Sequence, residues 1–210
     1  MRSHRASIVS SGLSVTQRVV TAARHQFMRH GFRHVTMDDL AAELGMSKKT
    51  LYACFPSKVA LLEAVLLDKF RSVEADLDGI TAACSSDVLN ALHRLLACMQ
   101  HHTEEIQPPF VRDMRRESPE LFKIVETRRR DVIQRHFGKI LGEGRRAGMI
   151  RKDIPATLIM EILLGAVQAV MNPPKMAELA LSPKTGYAAI MKVVLEGVMT
   201  ETGRSSHDRS

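Results

Sequence analysis

The chain has 210 residues, 45% of them hydrophobic and 25% charged, with a formal net charge of +7. That is the composition of an ordinary globular protein with length for one large or two small domains and a real core. The longest apolar stretch, Leu158 to Met171, is interrupted by Glu161 and Gln168 and is too short to span a bilayer, so no membrane partner is expected.

Charge is distributed unevenly along the chain. Residues 1–58 hold nine Lys/Arg against three acidic residues, so +6 of the net +7 lies on that segment. A polyanion partner is the economical explanation; a basic segment that merely solubilises the chain is the alternative. Cys54, Cys84 and Cys98 are odd in number and widely spaced, as expected of reduced thiols in a cytoplasm. The start, MRSHRASIVSSG, has basic residues but no apolar run. It reads as a loose arm over residues 1–13 rather than a signal peptide.

Ser14 and Gln17 form a capping-box start for a first helix, which Gly31 and the apolar Phe32 end. The most informative stretch follows, TMDDLAAELGMSKKTLYACFPSK from Thr36 to Lys58. Thr36 caps a second helix, with Asp38 and Asp39 in its first turn against the positive end of the dipole. Leu40, Ala41 and Leu44 recur at helical spacing, with a small alanine where another helix must cross closely. Gly45 stands where a helix commonly ends in a left-handed conformation, and Ser47 caps the next. That third helix opens with Lys48 and Lys49, the wrong charge for a helix N-terminus by ~0.3–1 kcal/mol each. A cost of that sign makes sense with phosphates nearby.

At these residues the chain resembles the TetR family of bacterial transcriptional repressors. The family pattern appears as Thr36, Ala41, Gly45, Met46, Ser47, Leu51, Tyr52, Phe55 and Lys58, and the preceding segment QRVVTAARHQFMRHGF is similar to the family's first helix. Lys49 replaces the family's usual glycine, and Cys54 stands where the family often carries a histidine near the phosphates. The resemblance is specific over about a quarter of the chain and architectural beyond Leu67. It implies duplex DNA as partner. The motif positions Thr36, Ser47, Lys48, Lys49, Thr50, Tyr52 and Lys58 are the DNA-binding candidates. Tyr52 and Lys58 are expected on the phosphates, and Lys48, Lys49 and Thr50 in the major groove.

Beyond the motif the chain reads as helical throughout. Pro56 and Ser57 open a fourth helix to about Leu77, whose Leu61, Leu62, Val65 and Leu66 can pack back on the head. Ser85 or Ser86 starts a helix to about Ile106, stopped by Pro108-Pro109. A short segment, Phe110 to Glu117, precedes the longest helix, Pro119 to about Arg146. Pro155 to Met171 is the next, ended by Asn172-Pro173-Pro174, and Pro183 to Thr200 is the last. The expected fold class is all-α. It comprises a helix-turn-helix DNA-binding domain over residues 14–60, a helical ligand-binding and dimerisation domain over 61–202, and a disordered polar tail over 203–210.

The last two helices are apolar around most of their circumference, so neither can leave a whole side in water. One central helix of a large monomeric bundle would satisfy this, but a two-fold dimer also supplies two recognition helices about one DNA turn apart, ~34–36 Å. The resemblance implies the same two helices as the homodimer interface, with Leu164, Gly165, Val194 and Val198 as candidates. It also implies a small-molecule pocket between the fifth to eighth helices. Met99, His102, Phe110, Met114, Phe122, Val125, Phe137, Leu163 and Val167 are its candidate lining; for each of them plain core packing is the competing reading. An apolar or amphipathic effector is the default.

Nothing calls for a cofactor, a metal or catalysis. His101 and His102 are adjacent on a helix and point about 100° apart, which rarely lets them share a metal. No phosphate loop or nucleophile elbow exists. The run Arg128-Arg129-Arg130, flanked by Glu126 and Asp131, reads as a solvated helix face with intrahelical pairing. The expected function is sequence-specific repression of transcription, relieved by an effector. The alternatives are an activator or ligand-independent regulator of the same type, or an enzyme or metal-binding module with an incidental basic head.

Overall fold

The structure, a computed structural model, describes residues 14–82, 84–85, 87–202 and 204, which form ten helices and no strand beyond one isolated bridge. In chain order they are α1 (Val15–His30), α2 (Met37–Glu43), α3 (Lys48–Cys54), α4 (Lys58–Ala82) and α5 (Val88–Glu104). Then follow α6 (Pro108–Glu117), α7 (Pro119–Arg146), α8 (Ala156–Val170), α9 (Pro173–Glu178) and α10 (Pro183–Val198). The arm expected over 1–13 and, apart from Arg204, the tail expected over 203–210 lie outside the described residues. No single described helix is long and apolar enough to cross a membrane.

Two units emerge, and they do not divide where the sequence suggests. Among the described residues the first is 14–71 with 107–121, and the second is what lies within 72–106 and 122–204. The break therefore falls inside α4 rather than at residue 60, and the first unit recruits α6 from far along the chain.

In the first unit α6 packs on α1. Pro108 and Pro109 stand at its first two positions, where a missing N–H costs nothing, so this doublet opens a helix as well as closing the one before it. The Gln107 N–H donates to the Met28 carbonyl at 2.9 Å. Phe110, Asp113 and Met114 fall on one face by helical spacing, and all three are buried. The Asp113 carboxylate accepts the Arg33 N–H at 3.0 Å, so the loop after α1 is held from α6. Around this contact Phe27, Leu40, Leu51, Leu61 and Leu62 are fully buried. Truncating any of them to Ala is worth ~2–5 kcal/mol. The α1 start is half as expected: Ser14 Oγ accepts the Gln17 N–H, but the Gln17 amide donates to Asp68 on α4 rather than closing a capping box.

In the second unit α10 packs on α5 and α8. Leu92 and Leu95 of α5, Ile133 and Phe137 of α7, Leu163 and Val167 of α8, and Tyr187 and Met191 of α10 belong to one core. The bridge between Ile150 and Met199 ties the loop after α7 to the end of α10. Local details depart from the sequence reading in three places. The α4 helix continues to Ala82 instead of ending near Leu77. The α5 cap is Asp87, whose carboxylate accepts the Asn90 N–H, rather than Ser85. Pro173-Pro174 open the short α9 after the Asn172 cap. The arginine run does pair as expected at Arg129 with Glu126, 2.5 Å away, while Arg128 reaches across to Glu74 on α4 at 3.4 Å.

Candidate nucleic-acid interface

The two short helices α2 and α3 are built by their ends. Thr36 and Asp39 close a reciprocal capping box: the Asp39 N–H donates to Thr36 Oγ1 at 3.1 Å and the Thr36 N–H to Asp39 Oδ2 at 2.9 Å. Hydrogen bonds from the Thr36 hydroxyl and amide hold the Asp39 carboxyl below its ordinary range. At the far end Gly45 adopts φ +62°, the Gly45 N–H bonds Ala42 O and the Met46 N–H bonds Ala41 O. This is the Schellman pair, which a left-handed residue makes possible and which turns the chain sharply. Two residues on, Ser47 Oγ accepts the Thr50 N–H at 3.1 Å and starts α3.

The turn orients α3 with one side in and one side out. Leu51 is fully buried and Phe55 nearly so, and α3 packs on both α2 and α1. Ser47, Lys48, Lys49, Thr50, Tyr52 and Ala53 are all exposed. Lys49, Tyr52 and Ala53 share one face by their i, i+3, i+4 spacing. Sequence reasoning passed over Ala53, although its spacing from Lys49 marks it. A small residue there lets the helix approach a base edge or a thymine methyl.

The seven candidate DNA contacts are not equally free. The Thr36 and Ser47 hydroxyls are committed to caps, and the Thr50 hydroxyl lies 2.9 Å from that of Ser47. Lys48 Nζ sits 2.6 Å from Asp38 Oδ2 on α2, and this exposed pair raises the lysine pKa. Lys49 and Tyr52 project from the surface, Tyr52 with 47% exposure. Lys58, at the start of α4, lies against the head instead: its ammonium donates to the Arg33 carbonyl at 3.2 Å and stands 4.6 Å from the Phe32 ring centre. Burial lowers its pKa, opposed by the attraction of Asp113, Asp39 and Glu117.

Lys58→Ala is therefore expected to act twice. Binding should weaken alike on all duplex sequences, with the salt slope reduced by about 1 per head. The melting temperature should also fall, since a cation over an aromatic face contributes ~0.5–1 kcal/mol. Titrations at several salt concentrations and a thermal melt check both halves. A lower melting temperature with an unchanged slope would assign Lys58 to the head's interior alone.

The candidate ligand residues separate between the units. Met99, Phe137 and Leu163 line one cavity of the second unit with Leu77, Leu95, Val132, Ile133, His136, Tyr187 and Met191. Val167 is buried in the same core but does not line the cavity, and Phe122 and Val125 are half-buried on α7. His102 is buried beside Asp76, its Nε2 2.7 Å from Oδ2. Phe110 and Met114 stand apart from all of these, because α6 spends its apolar face on α1 in the first unit. Within the cavity His136 Nδ1 is 3.2 Å from Thr81 Oγ1, while its buried Nε2 has no hydrogen-bond partner among the described residues. Burial holds this imidazole below its ordinary pKa.

The candidate dimer residues also divide. Leu164, Val194 and Val198 are buried in the chain's own core. Gly165 is exposed, and a Cβ built on it or on Gly197 would meet nothing within 4 Å, so neither glycine serves a close approach inside the chain. The apolar side chains that face out are their neighbours, Leu158 and Ile162 on α8 and Val193 on α10.

A sequence profile describing bacterial regulatory proteins of the tetR family matches residues 19–65, which span α1 to the first part of α4. The HTH-type transcriptional repressor SCO4008 of Streptomyces coelicolor is 27% identical over 166 residues, covering 76% of this chain and 79% of the relative. Among solved structures, a tetR-family regulator from Mesorhizobium loti is similar with TM-score 0.64 at 18% identity, over 88% of this chain and 96% of the other. The triclosan complex of SmeT, from Stenotrophomonas maltophilia, gives TM-score 0.61 at 16% identity, over 89% and 92% of the two chains. The two structural likenesses carry the fold alone.

Proposed function

We propose that this chain, whose residues 19–65 match the tetR family of bacterial regulatory proteins, is a transcriptional regulator of that type and not an enzyme, and that it works as a ligand-responsive repressor, a dimer on a palindromic operator. The carrying observation is the outward side of α3, where Lys49, Thr50 and Tyr52 stand exposed over a buried Leu51. A helix anchored by one apolar residue and presenting polar, cationic and small side chains on its other face suits the major groove. Such work places the protein with the chromosome, in the cytoplasm.

Repression rather than activation is favoured by the relative of 27% identity, which is named a repressor. Response to a small molecule is supported by the SmeT complex with triclosan and by the lining of the body cavity. That lining is apolar apart from Tyr187 and His136, which suits a largely apolar molecule; His136 Nε2 makes no hydrogen bond among the described residues and lies 3.9 Å from Asp78 Oδ1. The cavity holds about 10 Å³, room for about one water. An effector must therefore open it, and Met99 and Met191 are the unbranched, adaptable side chains that can re-form around one. To regulate, the effector must bind the DNA-incompetent conformation better. A hundredfold preference is worth about 2.7 kcal/mol.

Selection from random duplexes with the full chain is expected to return a palindrome with half-sites about one helical turn apart, ~34–36 Å. Retention on that duplex should fall steeply with salt. No enrichment over bulk DNA would overturn the reading. A single unpaired half-site would overturn its dimeric part.

A further inference from the structure

Outside the cavity and the DNA-binding face, one cluster combines three different metal-ligating groups. Asp76 on α4 and Cys98 and His102 on α5 bring one carboxylate oxygen, the thiol sulfur and one imidazole nitrogen within 4.8 Å of one another. We propose that these three residues form a binding site for a divalent transition metal of the zinc class, with a fourth position open to water or an exogenous ligand.

The donor set argues for that class. Sulfur, nitrogen and oxygen together suit a borderline-soft tetrahedral ion; magnesium and calcium want oxygen alone. Spacing argues for it too. Cys98 and His102 are four residues apart on one helix, so their side chains lie one turn above the other on the same face. Asp76 supplies the third donor from the neighbouring helix. His101, which the sequence pairs with His102, points away and is exposed.

The geometry is close to what the ion needs. Bonds of about 2.3 Å to sulfur and 2.0–2.2 Å to nitrogen and oxygen place tetrahedral donors about 3.4–3.6 Å apart. His102 Nε2 and Asp76 Oδ2 are now 2.7 Å apart, so they must separate by roughly 0.7 Å, which a carboxylate 56% exposed can do by rotation. That exposure also gives the ion a way in, while the buried imidazole is already fixed. On binding, the Cys98 thiol loses its proton to solvent and coordinates as thiolate. The site adjoins the body cavity by sequence, since Met99 follows Cys98 and lines that cavity.

The test is a Co(II) titration of the full-length, reduced protein under anaerobic conditions, followed by competition with Zn(II). Wild type is expected to bind one equivalent per chain, with tetrahedral ligand-field bands and a thiolate-to-cobalt charge-transfer band that Zn(II) abolishes. Cys98→Ser should lose the charge-transfer band. Asp76→Asn, at an exposed position and nearly the same shape, should weaken binding by roughly 100-fold, the upper end of what losing even an outer-sphere partner costs. Cys54→Ser should keep both the band and the affinity, since that thiol belongs to the other unit. The proposal fails if wild type shows no stoichiometric band, if Asp76→Asn binds as wild type does, or if the band follows Cys54 instead of Cys98.

Discussion

Val193→Asp is expected to turn the proposed dimer into a monomer without unfolding the chain. Val193 is 72% exposed on α10, so an aspartate there stays in water while the chain is alone. Pressed against a second copy it becomes a buried, unpaired charge, which costs several kcal/mol. The exposed apolar set of Leu158 and Ile162 on α8 with Val193 on α10, beside the open Gly165 and Gly197, is the face such a dimer would cover. Sedimentation should report a monomer whose melting curve resembles that of wild type. Binding to the palindromic operator should collapse, while weak, salt-sensitive binding to bulk DNA persists. Val194→Asp, one residue on, should instead unfold the body, because Val194 is 7% exposed in the chain's own core. A dimeric V193D would place the interface elsewhere. A monomer that binds the operator normally would defeat the two-headed mechanism.

Gly31→Ala is expected to destabilise the DNA-binding head by about 3 kcal/mol or more. Gly31 ends α1 with φ 90° and ψ 154°, a region open to glycine almost alone, where an alanine costs ~1–3 kcal/mol. The added Cβ would also stand 2.5 Å from Asp113 Oδ2 and 3.2 Å from Pro109 Cβ. Asp113 has nowhere to retreat: it is 3% exposed, and that same oxygen accepts the Arg33 N–H. Displacing it removes a hydrogen bond to a charged group, worth ~1.5–3 kcal/mol. Denaturant unfolding of Gly31→Ala, Asp113→Ala and the double variant separates the two effects. The double variant should be less damaged than the sum of the singles, with a coupling of at least ~0.5 kcal/mol. Strict additivity would mean that the carboxylate is not what the methyl meets.

The DNA-binding head shows what kind of information a sequence carries most plainly. Thr36 with Asp39, Gly45 with Ala42, Met46 with Ala41, and Ser47 with Thr50 are all bonded within five residues along the chain. Interactions that short are set by the identity of a few neighbours, so the caps and the turn follow from the letters alone. The burial of Leu51 follows as well, because a seven-residue helix with one large apolar side chain has one way to anchor itself.

What a side chain meets across the fold was another matter. The positions of Lys48 and Lys58 stand in the motif, but Asp38 beside one comes from α2 and the Phe32 ring beneath the other from the turn after α1, both brought there by the fold. Phe110 and Met114 have the spacing of a helix face and nothing to say which helix they face. The structure gives them to α1 in the head, since Asp113 on the same face captures the Arg33 amide. The cluster at Asp76 shares this character: Cys98 and His102 form a visible i, i+4 pair, while the third donor is 22 residues before Cys98 and reaches it only through packing.

The sequence by itself therefore determined the all-α class, the helix-turn-helix, the exposed outer face of α3 and the basic bias of the head. Each depends on bonds within a turn or on charge summed along a segment. Only the tertiary structure decided which apolar face of α8 and α10 belongs to the chain's own core and which is left outward. Hydrophobic periodicity shows that a helix has two apolar sides, but an inward Val194 and an outward Val193 are the same residue to it. What distinguishes them is the position of α5 and the rest of the body core, and that position is a property of the packed chain.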